Sequence, residues 1–388
     1  MKILQVHNAY REAGGEDAVV RAEAELLTDA GHVVTRLHVA NPQGAVRAAA
    51  GLALAPWNPA AAHRVGEAAE RLRPDVAHVH NTWYRLSPSV LGALKRRGVP
   101  VVMTLHNYRV MCINGQLLRR GEVCTRCVGR LPLPGLRYRC YRDSWGASAA
   151  ATLALGAAHA AHVWQRHVDL FLAMSQFARD QFVAGGLPEE HIRVKPHFVP
   201  DPGERQLPPS ASGKVLFVGR LSREKGLYTL LDAWAEAATG GCELLVVGAG
   251  PLRRELEARA LPRVRFLGWQ PPDEVRKLML DARLLVFPSI WYETFGLTIV
   301  EAMAAGVPVL ASDLGGTPEL LGPLAGDWLV PPGDARSWAA ALSATVQDNG
   351  GIDDAGCQAR RRYADLYSPG RGLELLEGAY RSVSSLRR

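Results

Sequence analysis

Cysteine is scarce in this chain: six among 388 residues. That excludes a small scaffold stapled by disulfides and leaves a large hydrophobic core as the source of stability. Aromatic residues are few at 7%, and charged residues make up 21% against 48% hydrophobic, which excludes a chain too polar to fold. Acidic residues fall short of basic ones, 38 against 45, a net charge of +7. So mild an excess admits an acidic substrate, an anionic lipid or nucleic acid and selects none of them. The opening Met1-Lys-Ile-Leu-Gln-Val-His-Asn8 has too short an apolar stretch for a secretory leader, and no small-residue cleavage site follows. A run of about 20 uncharged apolar residues, the length of a membrane span, is also missing. The nearest case, Ala147 to Trp164, carries Ser148, Thr152, His159 and His162 and reads as a buried helix. The expectation is a cytoplasmic protein in a reducing compartment, where cysteines serve burial or metal binding more often than disulfides.

What the chain has is alternation. Short apolar strands are expected at Ile3–His7, His32–Val39, Asp75–His80, Pro100–Leu105, Val168–Met174 and Ile192–Lys195. Helical spacing separates some of them, as in Glu16–Ala30 with Val19, Val20, Ala24 and Leu27 ahead of Gly31, and in Pro88–Arg97 and Ser175–Val183. Pro200 to Gly213 is rich in Pro, Ser and Gly and reads as a linker. Beyond it strands restart at Lys214–Val218, Glu243–Val247, Val264–Leu267, Leu284–Pro288 and Val307–Ala311. Helices are expected at Gly226–Ala238, Leu252–Ala260, Asp273–Leu280 and Thr298–Ala305. Near-continuous apolar strands joined by helices mean parallel sheets covered on both faces. The fold class is therefore α/β, with two doubly wound, Rossmann-like domains facing a central cleft. Residues 1–199 form the first, with an insertion at 107–146, and residues 200–365 form the second. Residues 366–388 belong to an amphipathic helix from Tyr363 onward with Leu366, Leu373, Leu376 and Tyr380. Ligands of such sheets bind beyond the carboxyl ends of the strands.

Three features lie at those ends in the second half. Gly219-Arg220-Leu-Ser-Arg-Glu-Lys225-Gly226 follows a strand and offers a planar donor fork and a point charge, a pair suited to a diphosphate. A solvated basic turn is the alternative. Gly248-Ala249-Gly250-Pro251 begins like a dinucleotide fingerprint, but Arg253 occupies the third glycine position, and a tight strand-to-helix turn would account for it. The sharpest feature is Glu293-Thr-Phe-Gly-Leu-Thr-Ile-Val-Glu301, followed by Gly306 and Pro308. Phe295, Gly296, Leu297 and Thr298 open a helix whose free amides and dipole attract an anion, and Glu301 lies about one turn further on.

Glu293 to Val309 resembles the Glu-x7-Glu signature of the retaining nucleotide-sugar glycosyltransferases of family four, which have the GT-B fold. Gly219-Arg220…Lys225-Gly226, Gly14-Gly15 and Thr104-Leu105-His106 match the same family in order, so the resemblance runs over nearly the whole chain. It implies transfer of a sugar from a UDP-sugar or GDP-mannose to an acceptor hydroxyl in polysaccharide, glycolipid or natural-product glycoside synthesis, with retention of configuration. Arg220 and Lys225 would neutralise the diphosphate. Gly219 and the backbone of Phe295, Gly296, Leu297 and Thr298 would hold sugar and phosphate, and Glu301 the ribose. Glu293 would contact the transferred sugar, His106 would stand in the active site, and the Gly14-Gly15 loop would close on the diphosphate. The resemblance also implies a last helix crossing back to the first domain, and no metal is required for catalysis. No Asp-x-Asp pair is placed to hold one. A sugar-nucleotide epimerase or hydrolase on the same fold is the near alternative. A dinucleotide-dependent oxidoreductase built on Gly248 and Gly250 is the distant one.

Between His106 and Arg142 stand eight arginines (109, 119, 120, 126, 130, 137, 139 and 142) and one acid, Glu122. Cys112, Cys124, Cys127 and Cys140 lie there too, a spacing suited to a structural zinc site, with buried thiols or a labile disulfide as alternatives. The arginines suit an anionic acceptor or lipid headgroup and peripheral contact at the inner face of a membrane, or they form a solvated loop. The acceptor would be a sugar, a lipid-linked sugar or a small molecule. No nucleic-acid motif is present. Trp83, Tyr84, Tyr108 and Asn114 are candidate acceptor contacts, with core packing as the rival reading of the aromatics.

Overall fold

A computed structural model describes residues 1–9, 14–41 and 51–385. Two compact units emerge. The first takes in Met1–Arg119, Cys124–Pro196 and Gly372–Arg388, and the second Arg120–Val123 and His197–Arg371.

The first unit is built on a six-stranded parallel sheet. Its strands are β1 (Lys2–Ala9), β2 (Val33–Ala40), β3 (Val76–Asn81), β4 (Val101–Thr104), β5 (Leu170–Ala173) and β6 (Ile192–Val194), in the order β2-β1-β3-β4-β5-β6. Every residue of β3, β4 and β5 is buried, as expected of central strands covered on both faces. The edge strand β2 is largely exposed or half-buried. Ile3, Val76, Val102, Leu170 and Leu172 pack against Leu376, Ala379, Tyr380 and Val383 of the helix Pro369–Ser384. The register of β1 on β3 slips between Val6 and His7, so that Val6 pairs with Val79 and His7 with Asn81. This irregularity falls beside His80, at the carboxyl end of the sheet.

The second unit repeats the plan. β7 (Lys214–Val218), β8 (Glu243–Val247), β9 (Val264–Gly268), β10 (Leu284–Phe287), β11 (Val309–Ser312) and β12 (Leu329–Val330) form a sheet ordered β9-β8-β7-β10-β11-β12. All its pairings are parallel. Its core gathers Leu230, Leu231, Trp234, Leu244, Leu284, Trp338 and Leu342 around the strands.

Three departures from the sequence expectations have physical reasons. The helix expected over Tyr363–Arg388 is two helices, Asn349–Leu366 and Pro369–Ser384, broken where Pro369 cannot continue the ladder. Tyr363 and Leu366 thus belong to the earlier helix, and residues 386–388 lie outside the described residues. The helices Pro59–Leu72 and Ala335–Gln347 add to those expected: alanine makes up most of the buried face of the first and weakens its apolar period, while the second buries Trp338, Ala339, Leu342 and Val346. The Ala-rich stretch is a helix, Trp145–Ala160, capped by Ser144 accepting from the Ala147 amide at 3.3 Å. It is not buried all round, however: Trp145, Ala149, Leu153 and Ala157 are exposed.

Candidate functional site

In the second unit, three loops leave the carboxyl ends of β7, β8 and β10 and are stitched together through backbone. Gly219 N–H donates to the Val247 carbonyl at 3.0 Å, Leu221 to Ala249 at 2.9 Å and Ile290 to Glu224 at 2.9 Å. Two glycines make this approach feasible. A Cβ on Gly226, whose φ is +69°, would lie 1.8 Å from the Pro288 carbonyl oxygen. One on Gly248, at φ +137°, would lie 1.9 Å from that of Gly219. Close loop packing therefore accounts for the Gly248-x-Gly250 turn, since a Cβ on Gly250 would also clash, 2.3 Å from the Leu221 carbonyl oxygen.

This stitching brings Lys225 to Glu293. The ammonium donates to Glu293 Oε1 at 2.6 Å, and Ser289 Oγ donates to the same oxygen at 2.7 Å. Glu293 is 5% exposed. The Lys225 Nζ also lies 5.7 Å from the Phe287 ring and 5.6 Å from the Trp291 ring, a partly desolvated cation between aromatic faces. Arg220 is exposed on the same loop, in no ion pair among the described residues. Phe295 is buried against His197 and Tyr367, with ring centroids 5.2 and 6.1 Å away. Gly296 caps the helix Leu297–Ala304, and Leu297 and Thr298 stay half-buried at its open end. Glu301, on that helix, is half-buried too. Desolvation pushes its carboxyl up to about 7, against the opposing pull of Arg276. The second-half candidates thus fall on one loop cluster and the helix it leads into.

The first unit places different chemistry at its strand ends. His106 follows β4 after Leu105, and its Nε2 lies 3.0 Å from His80 Nδ1. His80 lies 3.4 Å from the Gln5 amide, and His78 bridges Thr104 Oγ1 and Tyr380 Oη at 2.8 Å each. Beneath them Glu23 and Lys195, both fully buried, form an ion pair. The second Glu23 oxygen sits 3.7 Å from both His78 Nδ1 and His80 Nε2. Burial, and then the neighbouring histidines and Lys195, hold His80 and His106 well below the usual histidine range. Burial brings His78 down to about 4. All three are neutral at pH 7, so in the His80–His106 contact one ring donates and the other accepts. A cavity opens beside them, lined by Trp83, Met103, Leu155, Trp164, Arg109 and His106 among others.

Gly14 is extended, with φ −123°, and a Cβ there would meet nothing within 4 Å. It caps the helix Gly15–Asp29 and donates its amide to Asp17 at 3.0 Å. Glu16 and Asp17 fill that first turn, and Asp17 also takes His7 Nε2 at 2.8 Å. Of the acceptor candidates, Trp83 lines the cavity. Tyr84 and Tyr108 are fully buried, Tyr108 stacked on Phe182, so they pack the core. Asn114 holds its own loop, bonding Leu118, Gln116 and Cys112.

The four insertion cysteines are free thiols lining one cavity with Tyr138 and Ile113. Burial, then the neighbouring thiols, push Cys127 and Cys140 up to about 11. Glu23, His78 and His80 form the only trio of potential ligand atoms gathered within 4.8 Å among the described residues. An ion would therefore have to draw the thiols closer.

The sequence pattern missed the Glu23–Lys195–His78–His80 cluster. One signal was present: Glu23 falls on the apolar stripe of its helix with Val20, Ala24 and Leu27, where a lone carboxylate must find a partner.

Comparison with known proteins agrees with this architecture. Residues 13–201 match the model for Glycosyltransferase Family 4, and residues 212–348 that for Glycosyl transferases group 1. The amylovoran biosynthesis glycosyltransferase AmsK of Erwinia amylovora is 30% identical over 189 residues, 45% of this chain and 46% of that protein. The 2-deoxystreptamine glucosyltransferase of Streptomyces kanamyceticus is 34% identical over 172 residues, 42% of each. The matches span about half the length of these curated relatives. Among solved structures, Anabaena HepE in complex with UDP superposes with a TM-score of 0.71 at 19% identity, covering 98% of this chain and 100% of that one. The fold is that of the GT-B glycosyltransferases. Within that class the chain belongs to glycosyltransferase family 4.

Proposed function

We propose that the protein is a retaining glycosyltransferase that moves a sugar from a nucleotide diphosphate to an acceptor hydroxyl in polysaccharide, glycolipid or natural-product glycoside synthesis. The observation that carries the reading is the Lys225–Glu293 pair, held at 2.6 Å where a glycine-stitched loop meets the open end of a helix. Lys225, Arg220 and the amides around Gly296 then stabilise the departing diphosphate, where negative charge develops, and no divalent metal is required. Glu293 Oε1 already accepts two hydrogen bonds, which favours an electrostatic role over that of a nucleophile. His106, neutral at pH 7 and a weak base, bonds the donor sugar and does not remove the acceptor proton. The leaving diphosphate takes that proton in a front-face reaction. The relatives support the class of chemistry: HepE was solved with UDP-glucose, and AmsK is named as an amylovoran biosynthesis glycosyltransferase.

Isothermal calorimetry against UDP, GDP and their sugars tests the reading. Binding of at least one is expected, and absence of heat with all of them overturns it. The four thiolates are proposed to hold one structural zinc per chain, because the insertion has short elements and little core of its own. Elemental analysis of protein prepared without chelator should find about one zinc per chain; a metal-free folded protein ends that part of the proposal.

A further inference from the structure

The helix Trp145–Ala160 departs from the usual amphipathic plan. Its inner face buries Ser148, Ala151, Thr152, Ala154, Leu155 and Ala158. Its outer stripe, at successive helical turns, is Trp145, Ala149, Leu153 and Ala157, all exposed. Trp145 is 57% and Leu153 65% exposed. A helix apolar on both faces belongs where neither face meets bulk water. The short helix Leu133–Arg137 packs against it and adds Leu133, 59% exposed, with Leu131 beside it at 55%. Three large apolar side chains exposed on two packed helices, with Leu131 just ahead of the shorter one, are an apolar surface that a soluble protein rarely carries without a partner.

Charge identifies the partner. Arg126, Arg130, Arg137, Arg139 and Arg142, all exposed, belong to the same segment, and none forms an ion pair among the described residues. Arg126 and Arg137 lie over the Tyr138 ring and Arg142 over Tyr141, contacts that leave their charge uncompensated. Asp143 and Glu122 are the acids nearby in sequence. An exposed apolar stripe in a segment rich in exposed, unpaired cations fits a surface whose interior is hydrocarbon and whose face is anionic. A second copy meeting the same patch would set five guanidinium groups against five, which argues against self-association. Among the described residues no helix is long and apolar enough to cross a membrane, and an exposed apolar stripe of this kind fits lying on one.

We propose that this surface docks the first unit on an anionic lipid bilayer, with Trp145, Leu153, Leu131 and Leu133 entering the interface and the arginines engaging headgroup phosphates. The proposal does not rest on the sugar-transfer reading. Co-sedimentation with vesicles of phosphatidylcholine alone, or with 30% phosphatidylglycerol, tests it using the full chain. Pelleting is expected with the anionic vesicles at least tenfold above that with neutral ones, weakened by salt. Because Trp145 and Leu153 are exposed, the paired substitution Trp145→Ser/Leu153→Glu should leave the melting temperature unchanged while lowering vesicle partition at least tenfold. Equal pelleting of the variant and the parent overturns the proposal. So does a concentration-dependent dimer that the same substitutions dissolve without any vesicle binding, which would make a second copy the partner.

Discussion

The two units are both six-stranded parallel sheets, in different strand orders, and put opposite kinds of chemistry at their strand ends. In the second, the charged groups Arg220, Lys225 and Glu293 stand on loops beyond the strands, from exposed Arg220 to buried Glu293, and backbone hydrogen bonds between loops hold them. In the first, the polar groups are inside: His78 and His80 lie within a strand that is buried throughout, above a fully buried Glu23–Lys195 pair. A site on loops can reshape around a diphosphate. A site built from buried, mutually bonded histidines presents one fixed geometry and carries the desolvation cost of its charges at all times.

The contrast fails if the loop cluster proves dispensable. Glu293→Gln keeps the size of the side chain and its bond to Ser289 but removes the charge that faces Lys225. Turnover should fall by about a thousandfold, some 4 kcal/mol of transition-state stabilisation. The melting temperature should drop only a few degrees. Nucleotide release measured at saturating donor reads this, and near-parental turnover in both this variant and Arg220→Ala refutes the placement of the chemistry.

The first unit should instead respond through stability. Glu23→Gln strands Lys195 in the core, and breaking one side of a buried pair costs about 3–5 kcal/mol. Replacing both members, as Glu23→Met/Lys195→Met, should recover most of that loss. A double-mutant cycle from urea unfolding supplies the comparison. If Glu23→Gln unfolds at the parental midpoint, the pair is not the unit's polar anchor.

Legibility followed the same division. The second site lay open in the sequence because its residues are contiguous, bounded by glycines, and preceded by strands whose apolar runs are unmistakable. Lys225 and Glu293 are 68 positions apart, yet each belongs to a motif of its own. Lys195 and Glu23 are 172 apart and belong to none, so only the fold joins them. His106 was marked by its place after a strand, but its partner His80 was hidden within one. The stripe on Trp145–Ala160 escaped for a different reason: composition reports that a helix is apolar and cannot say which face is covered.

Acid sharpens the difference between the units. Unfolded histidine titrates near 6.5, whereas burial holds His78 at about 4 and His80 and His106 well below the usual range. The unfolded chain therefore binds more protons in this window. Stability is complete above pH 6.5 and is lost as pH falls towards 4. Thermal melts between pH 4 and 8 should show the first unit's transition shifting downward with acid, more steeply than the second's. A flat profile would mean that these imidazoles are not buried neutral.

The smallest expected effect concerns Glu301, and it runs in the opposite direction on the pH scale. Its carboxyl titrates at about 7 in the fold against 4.5 when unperturbed, so the folded state keeps a proton that the unfolded chain has released. Folding stability therefore declines as pH climbs from 4.5 to 7 and levels off above it. Glu301→Gln removes that burden and should melt slightly higher than the parent at pH 8, with no advantage at pH 4. If the carboxylate bonds ribose hydroxyls, the same variant should bind nucleotide about tenfold more weakly at pH 8, a difference of about 1.4 kcal/mol. Parental affinity should also rise between pH 6 and 8 as the proton leaves, while that of Glu301→Gln stays level. Unchanged nucleotide affinity in a variant that has gained stability would identify Glu301 as a buried carboxyl with no part in holding the donor. The ribose would then need another partner on that helix or its loop.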